Sequence, residues 1–250
     1  MTSTPASERA RTTPSNPLTG RDADELRALA ERASKELEGA DPLTLLQWTL
    51  DTFGEDFVVA SNMQDGVLVH LAKQVQDRPK VLFLDTGYHF PETIGMRDAV
   101  ESIYEVELLN VTPAQSVGEQ DATVGKDLFA TDPAQCCNLR KVVPLRETLS
   151  GYRAWVTGIR RVESPTRANA PFISFDEGFG LLKVNPIVDW TDEQMQRFIE
   201  ENGILVNPLV DEGYPSIGCQ PCTNKPAPGS DPRSGRWAGS TKTECGLHAS

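Results

Sequence analysis

Phe57-Val58-Val59-Ala60, then the polar turn Ser61-Asn62-Met63-Gln64-Asp65-Gly66, then the apolar run Val67 to Val75, read as strand, turn and helix. The pattern repeats at Lys80-Val81-Leu82-Phe83-Leu84, with Asp85-Thr86-Gly87 as the turn and a helix after Pro91. Glu105 to Leu109 and Ala154 to Thr157 read as further strands. Strands alternating with helices specify an α/β fold, here a single domain with a mostly parallel sheet. Ligands of such sheets sit beyond the carboxyl ends of the strands. Those ends carry Ser61 to Gly66, Asp85 to His89 and Gly158 to Arg161.

Outward from this core, Asp22 and Glu25 have capping-box spacing, and Leu26, Leu29 and Ala33 follow with helical period until Gly39. Asp41-Pro42 starts a second helix. Residues 1–20 are rich in Ser, Thr and Pro and lack the apolar centre of an export signal, so they are expected to be a disordered tail. The domain is expected to span residues 21–222. Residues 223–250 hold four Gly and three Pro and are expected to be a mobile segment rather than a packed element. No apolar run reaches the roughly 18 residues of a membrane span. The chain is expected to be cytoplasmic.

The five cysteines are an odd number, so disulfides cannot pair them all. Cys136-Cys137 and the knuckle Cys219-Gln220-Pro221-Cys222 together supply four thiolates, a set suited to zinc or an iron–sulfur cluster. Adjacent residues send both sulfurs to one small ion with difficulty, whereas a cluster offers each sulfur its own iron. The spacing therefore favours the cluster. Cys245 is the odd one out, near Lys242, Arg236 and His248, and cationic neighbours favour a nucleophilic thiolate.

Net charge is −12, which argues against a general nucleic-acid binder. Resolved along the chain, residues 136–167 carry a local +5 and residues 223–250 a local +2. Both zones coincide with the cysteines, and arginine forks suit sulfate or phosphate. A small, multiply anionic substrate fits this pattern. The turn Ser61 to Gly66 is open to two readings: a backbone cradle for an anion, or an ordinary connection without the glycines of a phosphate loop.

Six motifs in order resemble the assimilatory sulfonucleotide reductases. The resemblance runs from about residue 55, and the first motif is Leu84-Asp85-Thr86-Gly87-Tyr88-His89-Phe90-Pro91-Glu92-Thr93. Thr157-Gly158-Ile159-Arg160-Arg161, with Ser164-Pro165-Thr166-Arg167 behind it, and Glu244-Cys245-Gly246-Leu247-His248 are shared across the family. Cys136-Cys137-Asn138-Leu139-Arg140-Lys141 and the pair Cys219, Cys222 resemble the branch that reduces adenosine 5′-phosphosulfate (APS). The resemblance implies an adenine nucleotide α-hydrolase-like fold related to ATP pyrophosphatases. It implies reduction of APS to sulfite and AMP through an S-sulfocysteine on Cys245, with thioredoxin, a separate protein, as reductant. A [4Fe-4S] cluster on Cys136, Cys137, Cys219 and Cys222 follows from the same resemblance. So does nucleotide binding by Ser61, Gln64, Asp65, Leu84, Thr86, Gly87 and Gly158. Cations must offset the oxygens that shield the substrate sulfur. Lys141, Arg160, Arg167, Arg233, Arg236 and His248 are the candidates. A reductase for the 3′-phosphorylated nucleotide (PAPS) and a zinc-stabilised, non-catalytic module are the alternatives.

Overall fold

The computed structural model describes residues 20–237, 242, 244, 246 and 247. In chain order the elements are α1 (Gly20–Glu36), α2 (Pro42–Phe53), β1 (Phe57–Ala60), α3 (Val67–Val75), β2 (Lys80–Leu84), α4 (Pro91–Tyr104) and β3 (Glu107–Val111). Then follow α5 (Val117–Thr123), α6 (Leu128–Thr131), α7 (Pro133–Cys137), α8 (Val143–Leu149), β4 (Ala154–Val156), β5 (Ile173–Asp176), β6 (Leu181–Val184) and α9 (Asp192–Asn202). A π-helical turn, Asn138–Val142, joins α7 to α8.

Among the described residues the strands form one sheet in the order β3-β2-β1-β4-β6-β5. The pairings are parallel except β5 against β6. The chain leaves β1 toward β2 and β3 on one side, then returns to place β4 on the other. A crevice therefore opens at the carboxyl ends of β1 and β4, the switch point of the sheet.

Period-two alternation sorts the strand side chains into two buried layers. Val59, Val156, Leu182 and Val184 join α1, α2 and α3 on one face, through Leu26, Leu45, Leu46 and Leu71. Val58, Leu82, Trp155 and Leu181 meet Leu145 and Leu149 of α8 on the other. Fully burying one such side chain contributes roughly 1.5–3 kcal/mol. Asp41 caps α2, accepting from Leu43 N at 3.0 Å and Thr44 N at 3.1 Å.

Four differences from the sequence reading have local causes. Helix α1 starts at Gly20, so Asp22 sits in its first turn instead of capping it. Strand β3 starts two residues late, because Glu105 ends α4 in a left-handed conformation (φ 51°). The β5–β6 hairpin was not anticipated. Residues 223–237 are pinned at their two ends, where Thr223 and Arg236 form an antiparallel bridge and Trp237 is buried, while residues 227–232 between them are exposed. Residues 1–19 lie outside the described ones. Among the described residues no helix is long and apolar enough to cross a membrane.

Candidate active site

The turn after β1 spends its backbone donors on itself and its neighbours. Ser61 N donates to Leu82 O, Met63 N to Ser61 Oγ, Gln64 N to Asn62 Oδ1, Gly66 N to Leu205 O and Val67 N to Asp65 Oδ1. Five amides of this segment are thus engaged within the protein, which favours the ordinary-connection reading over an anion cradle. Gln64 ties the turn to a distant loop: its Nε2 donates to Pro215 O, and its Oε1 accepts from Ile217 N at 3.0 Å. Burial pushes the Asp65 carboxyl up to about 6, against the Val67 N–H that favours its charged form.

The turn after β2 is held from below by Arg140, a buried side chain. Arg140 Nε donates to Thr86 O at 2.5 Å, Nη1 donates to Gln120 Oε1 at 3.0 Å, and the guanidinium lies 5.2 Å from the centre of the Tyr88 ring. Gly87 has φ 74°, and a Cβ there would sit 3.0 Å from Arg140 Nη2. Glycine is required by both the backbone and the arginine. His89 Nε2 and Leu84 O are 2.8 Å apart, while His89 Nδ1 is buried with no hydrogen-bond partner among the described residues.

A cleft of about 1000 Å³ opens above these turns. It is lined by Ser61, Gln64, Asp65, Leu84, Thr86, Lys141, Gly158, Arg160, Arg167, Arg233 and Arg236. Of the expected nucleotide and anion contacts described here, only Gly87 stands outside the lining. Cys245 and His248 lie outside the described residues.

The local positive charge is not bare. Arg160 Nη1 pairs with Asp192 at 2.8 Å and its Nε approaches Glu163 at 3.5 Å. Arg167 Nη1 pairs with Glu163 at 2.5 Å and its Nη2 with Glu244 at 2.9 Å. Arg233 Nη2 reaches the same Glu244 oxygen at 3.1 Å. Burial works against the Arg167 charge, yet Glu163 and Glu244 outweigh it and push its pKa further up. Glu163, Asp192 and Glu244 line the cleft, as does His89, and sequence reading named none of them as site residues. The signal for His89 and Glu244 was their place inside the quoted motifs, and for Glu163 its place between two of them; for Asp192 there was none.

Beside the cleft, Cys136, Cys137, Cys219 and Cys222 line one small pocket with Arg140 and Lys141, under Tyr88, Phe129 and Pro133. None of the four is in a disulfide. Burial, then the neighbouring thiols, push Cys136 up to about 11, and burial and Cys219 do the same to Cys222. Burial acts on Cys219 too, but Lys141, the Thr86 hydroxyl and Arg236 outweigh it and hold its pKa below the usual thiol value. Thr86 Oγ1 lies 3.3 Å from Cys219 Sγ, and Lys141 hydrogen-bonds the same sulfur. Arg236 Nη1 donates to Ser216 Oγ and Ile217 O, and its guanidinium lies against Gly218, where a Cβ would be 2.2 Å from Nη2. Deprotonated together, four sulfurs crowded in this way would repel one another, and a bound cationic centre removes that repulsion. The donor set therefore fits a thiophilic metal centre. Among the described residues, no three His, Cys, Asp or Glu side chains meet the spacing of a single metal ion.

The sheet order and cleft define a nucleotide α-hydrolase-like α/β domain. A solved phosphoadenylyl-sulfate (PAPS) reductase from Candida auris, in a phosphate complex, superimposes with a TM-score of 0.68 at 26% identity, over 84% of this chain and 100% of that one. An FMN adenylyltransferase from Candida glabrata shares the fold at a TM-score of 0.53 and 13% identity, over 80% of this chain and 71% of that one. The family model described as the phosphoadenosine phosphosulfate reductase domain matches residues 56–225, and the chain belongs to that family. Proteins named adenosine 5′-phosphosulfate reductase are 69% identical in Rhodococcus erythropolis and 67% in Mycolicibacterium smegmatis, each over 91% of this chain and 96% of the relative. The protein of that name in Mycobacterium tuberculosis is 60% identical over 90% of this chain and 96% of the relative.

Proposed function

We propose that this chain reduces APS to sulfite and AMP, with Cys245 as the nucleophile and a thioredoxin as the electron donor. One observation carries the reading. Basic side chains from three distant segments, Lys141, Arg160 with Arg167, and Arg233 with Arg236, converge on one cleft upstream of a tail cysteine. The relatives named above support APS over the 3′-phosphorylated nucleotide.

The chemistry balances with a dithiol as co-reactant. The Cys245 thiolate attacks the substrate sulfur, the bond from sulfur to the phosphate oxygen breaks, and AMP leaves with that electron pair. Basic side chains of the cleft offset the charge on the sulfate oxygens and on the departing phosphate. A thioredoxin thiolate then attacks Cys245 Sγ of the S-sulfocysteine, and sulfite leaves. The second thioredoxin thiol resolves the mixed disulfide and returns Cys245 as thiolate. Each turnover oxidises one dithiol to a disulfide.

Cys136, Cys137, Cys219 and Cys222 are the residues that would hold a [4Fe-4S] cluster. Four cysteines on one small pocket, two of them adjacent in sequence, support a cluster, which offers each sulfur its own iron, over a single zinc. Such a cluster supplies structural and electrostatic support when bound, and the thiol chemistry closes without electron transfer through it. Lys141 joins the cysteine pocket to the cleft, and Thr86 does so from the β2 turn.

The test is mass spectrometry after mixing enzyme with APS and no reductant. A sulfite adduct on Cys245 is expected, released by reduced thioredoxin and not formed in Cys245→Ser. An unmodified Cys245 overturns the reading. Sulfite release from APS far above that from PAPS is expected, and the reverse would assign the second nucleotide.

A further inference from the structure

A guanidinium offers two edges to an oxyanion, and Arg167 uses its nitrogens unevenly. Its side chain is 10% exposed. Nη1 is taken by Glu163 and Nη2 by a single oxygen of Glu244, while Nε is buried with no hydrogen-bond partner among the described residues. The side-on edge, Nε with Nη2, is thus half used. An N–H buried without an acceptor is unfavourable, so Glu244 is an imperfect guest there. Its second oxygen goes to Arg233 Nη2 at 3.2 Å, and its first also lies 3.1 Å from that nitrogen. The carboxylate is itself 13% exposed and faces the cleft. A tetrahedral oxyanion has the oxygens to span both nitrogens of the Arg167 edge and still meet Arg233.

We propose that Glu244 is a built-in stand-in for the substrate's anionic group, held by Arg167 and Arg233 and exchanged for an oxyanion when nucleotide arrives. The identity of the nucleotide rests on the function proposed above; the exchange itself does not. Glu244 precedes Cys245, so the exchange frees the carboxylate beside the nucleophile at the moment the anion binds. Glu244 is a positioning residue: it acts through the two arginines and the tail.

Two probes, inorganic sulfate and AMP, test this by equilibrium binding to the full-length, cofactor-loaded protein. Glu244→Gln keeps the shape and removes the competing charge. Both probes are expected to bind it roughly tenfold tighter, the scale of one charge-assisted hydrogen bond. Glu244→Asp, which keeps the charge, stays within about threefold of wild type. Unchanged or weaker binding in Glu244→Gln overturns the proposal, and so does an equal gain in Glu244→Asp. In turnover, Glu244→Gln lowers KM for APS about tenfold with kcat within about threefold; an unchanged or raised KM counts against the exchange. A wild-type readout needs no variant: saturating sulfate speeds tryptic cleavage after Lys242, and no change or protection overturns the exchange. If the wild type makes no sulfite from APS, the function fails while the binding and cleavage results still decide the exchange.

Discussion

Replacing Arg140 with methionine removes the charge that holds the β2 turn while keeping the apolar stem. Arg140 is 3% exposed and donates to Thr86 O, Gln115 O and Gln120 Oε1. A hydrogen bond from a charged group contributes about 1.5–3 kcal/mol, and removing one partner of a buried charged set costs about 3–5 kcal/mol. Methionine recovers part of the packing against Tyr88, so the expected loss is about 4 kcal/mol. For a chain of this size each kcal/mol moves Tm by about 2–4 °C, which puts the fall at roughly 8–16 °C. Calorimetry on protein matched for iron content measures it. Arg146→Met, at an exposed position, is the control and should stay within about 0.5 kcal/mol. Below the transition, AMP should bind Arg140→Met about tenfold more weakly, because Thr86 O has lost its donor. A fall in Tm below about 3 °C would show that water replaces the arginine, and the buried-hub argument would be wrong.

Asp65→Asn probes the raised carboxyl: the folded chain holds its proton up to about pH 6 against 3.8 ordinarily, so stability falls as pH rises through that window and the cost persists above it. The rise corresponds to about 3 kcal/mol; the variant should gain up to that much at pH 7.5 and little at pH 4, and equal urea midpoints for the two proteins at pH 7.5 would refute it. Gly87→Ala should cost about 2 kcal/mol or more, since it combines a left-handed backbone with contacts at 3.0 and 3.1 Å, whereas Gly54→Ala, with open space around it, should cost about 1 kcal/mol. Equal Tm losses would remove Arg140 from the explanation. Cys219→Ser should abolish bound iron and labile sulfide together with absorbance near about 400 nm; full iron retention would break the assignment of the four cysteines.

The strands β1 and β2 are legible because each is a short apolar run closed by a polar turn. The motifs at their ends put Ser61, Leu84, Thr86 and Gly158 on the cleft, where the structure has them. Other roles depend on contacts distant in sequence. Gln64 looks like a ligand contact, yet its amide engages residues 151 and 153 positions away. The local +5 is half an account, because Asp192 and Glu244 come from outside that window to meet Arg160 and Arg167. Arg140 and Lys141 are adjacent in the π-helical turn, but one serves the β2 turn and the other Cys219. Composition alone does not separate a buried hub from a cleft cation. The bridge that closes residues 223–237 is hidden by the glycines and prolines between its ends; Gly235 is there because a Cβ would lie 1.9 Å from Asn224 O.

That bridge also sets the point from which Cys245, the nucleophile of the proposed function, is tethered. Trp237 is pinned by its N–H to Cys222 O at 3.0 Å, and Cys245 lies eight residues further along the sequence. Eight residues reach at most about 28 Å, and once Glu244 has left Arg167 and Arg233 a thiol confined to that radius has a local concentration of order 10 mM. The leash thereby sets a kinetic allowance. Inserted residues would dilute the thiol at the cleft by roughly the three-halves power of length, while deleting a few would put the substrate sulfur out of reach. The spacing between Trp237 and Cys245 is thus a rate parameter written in chain length.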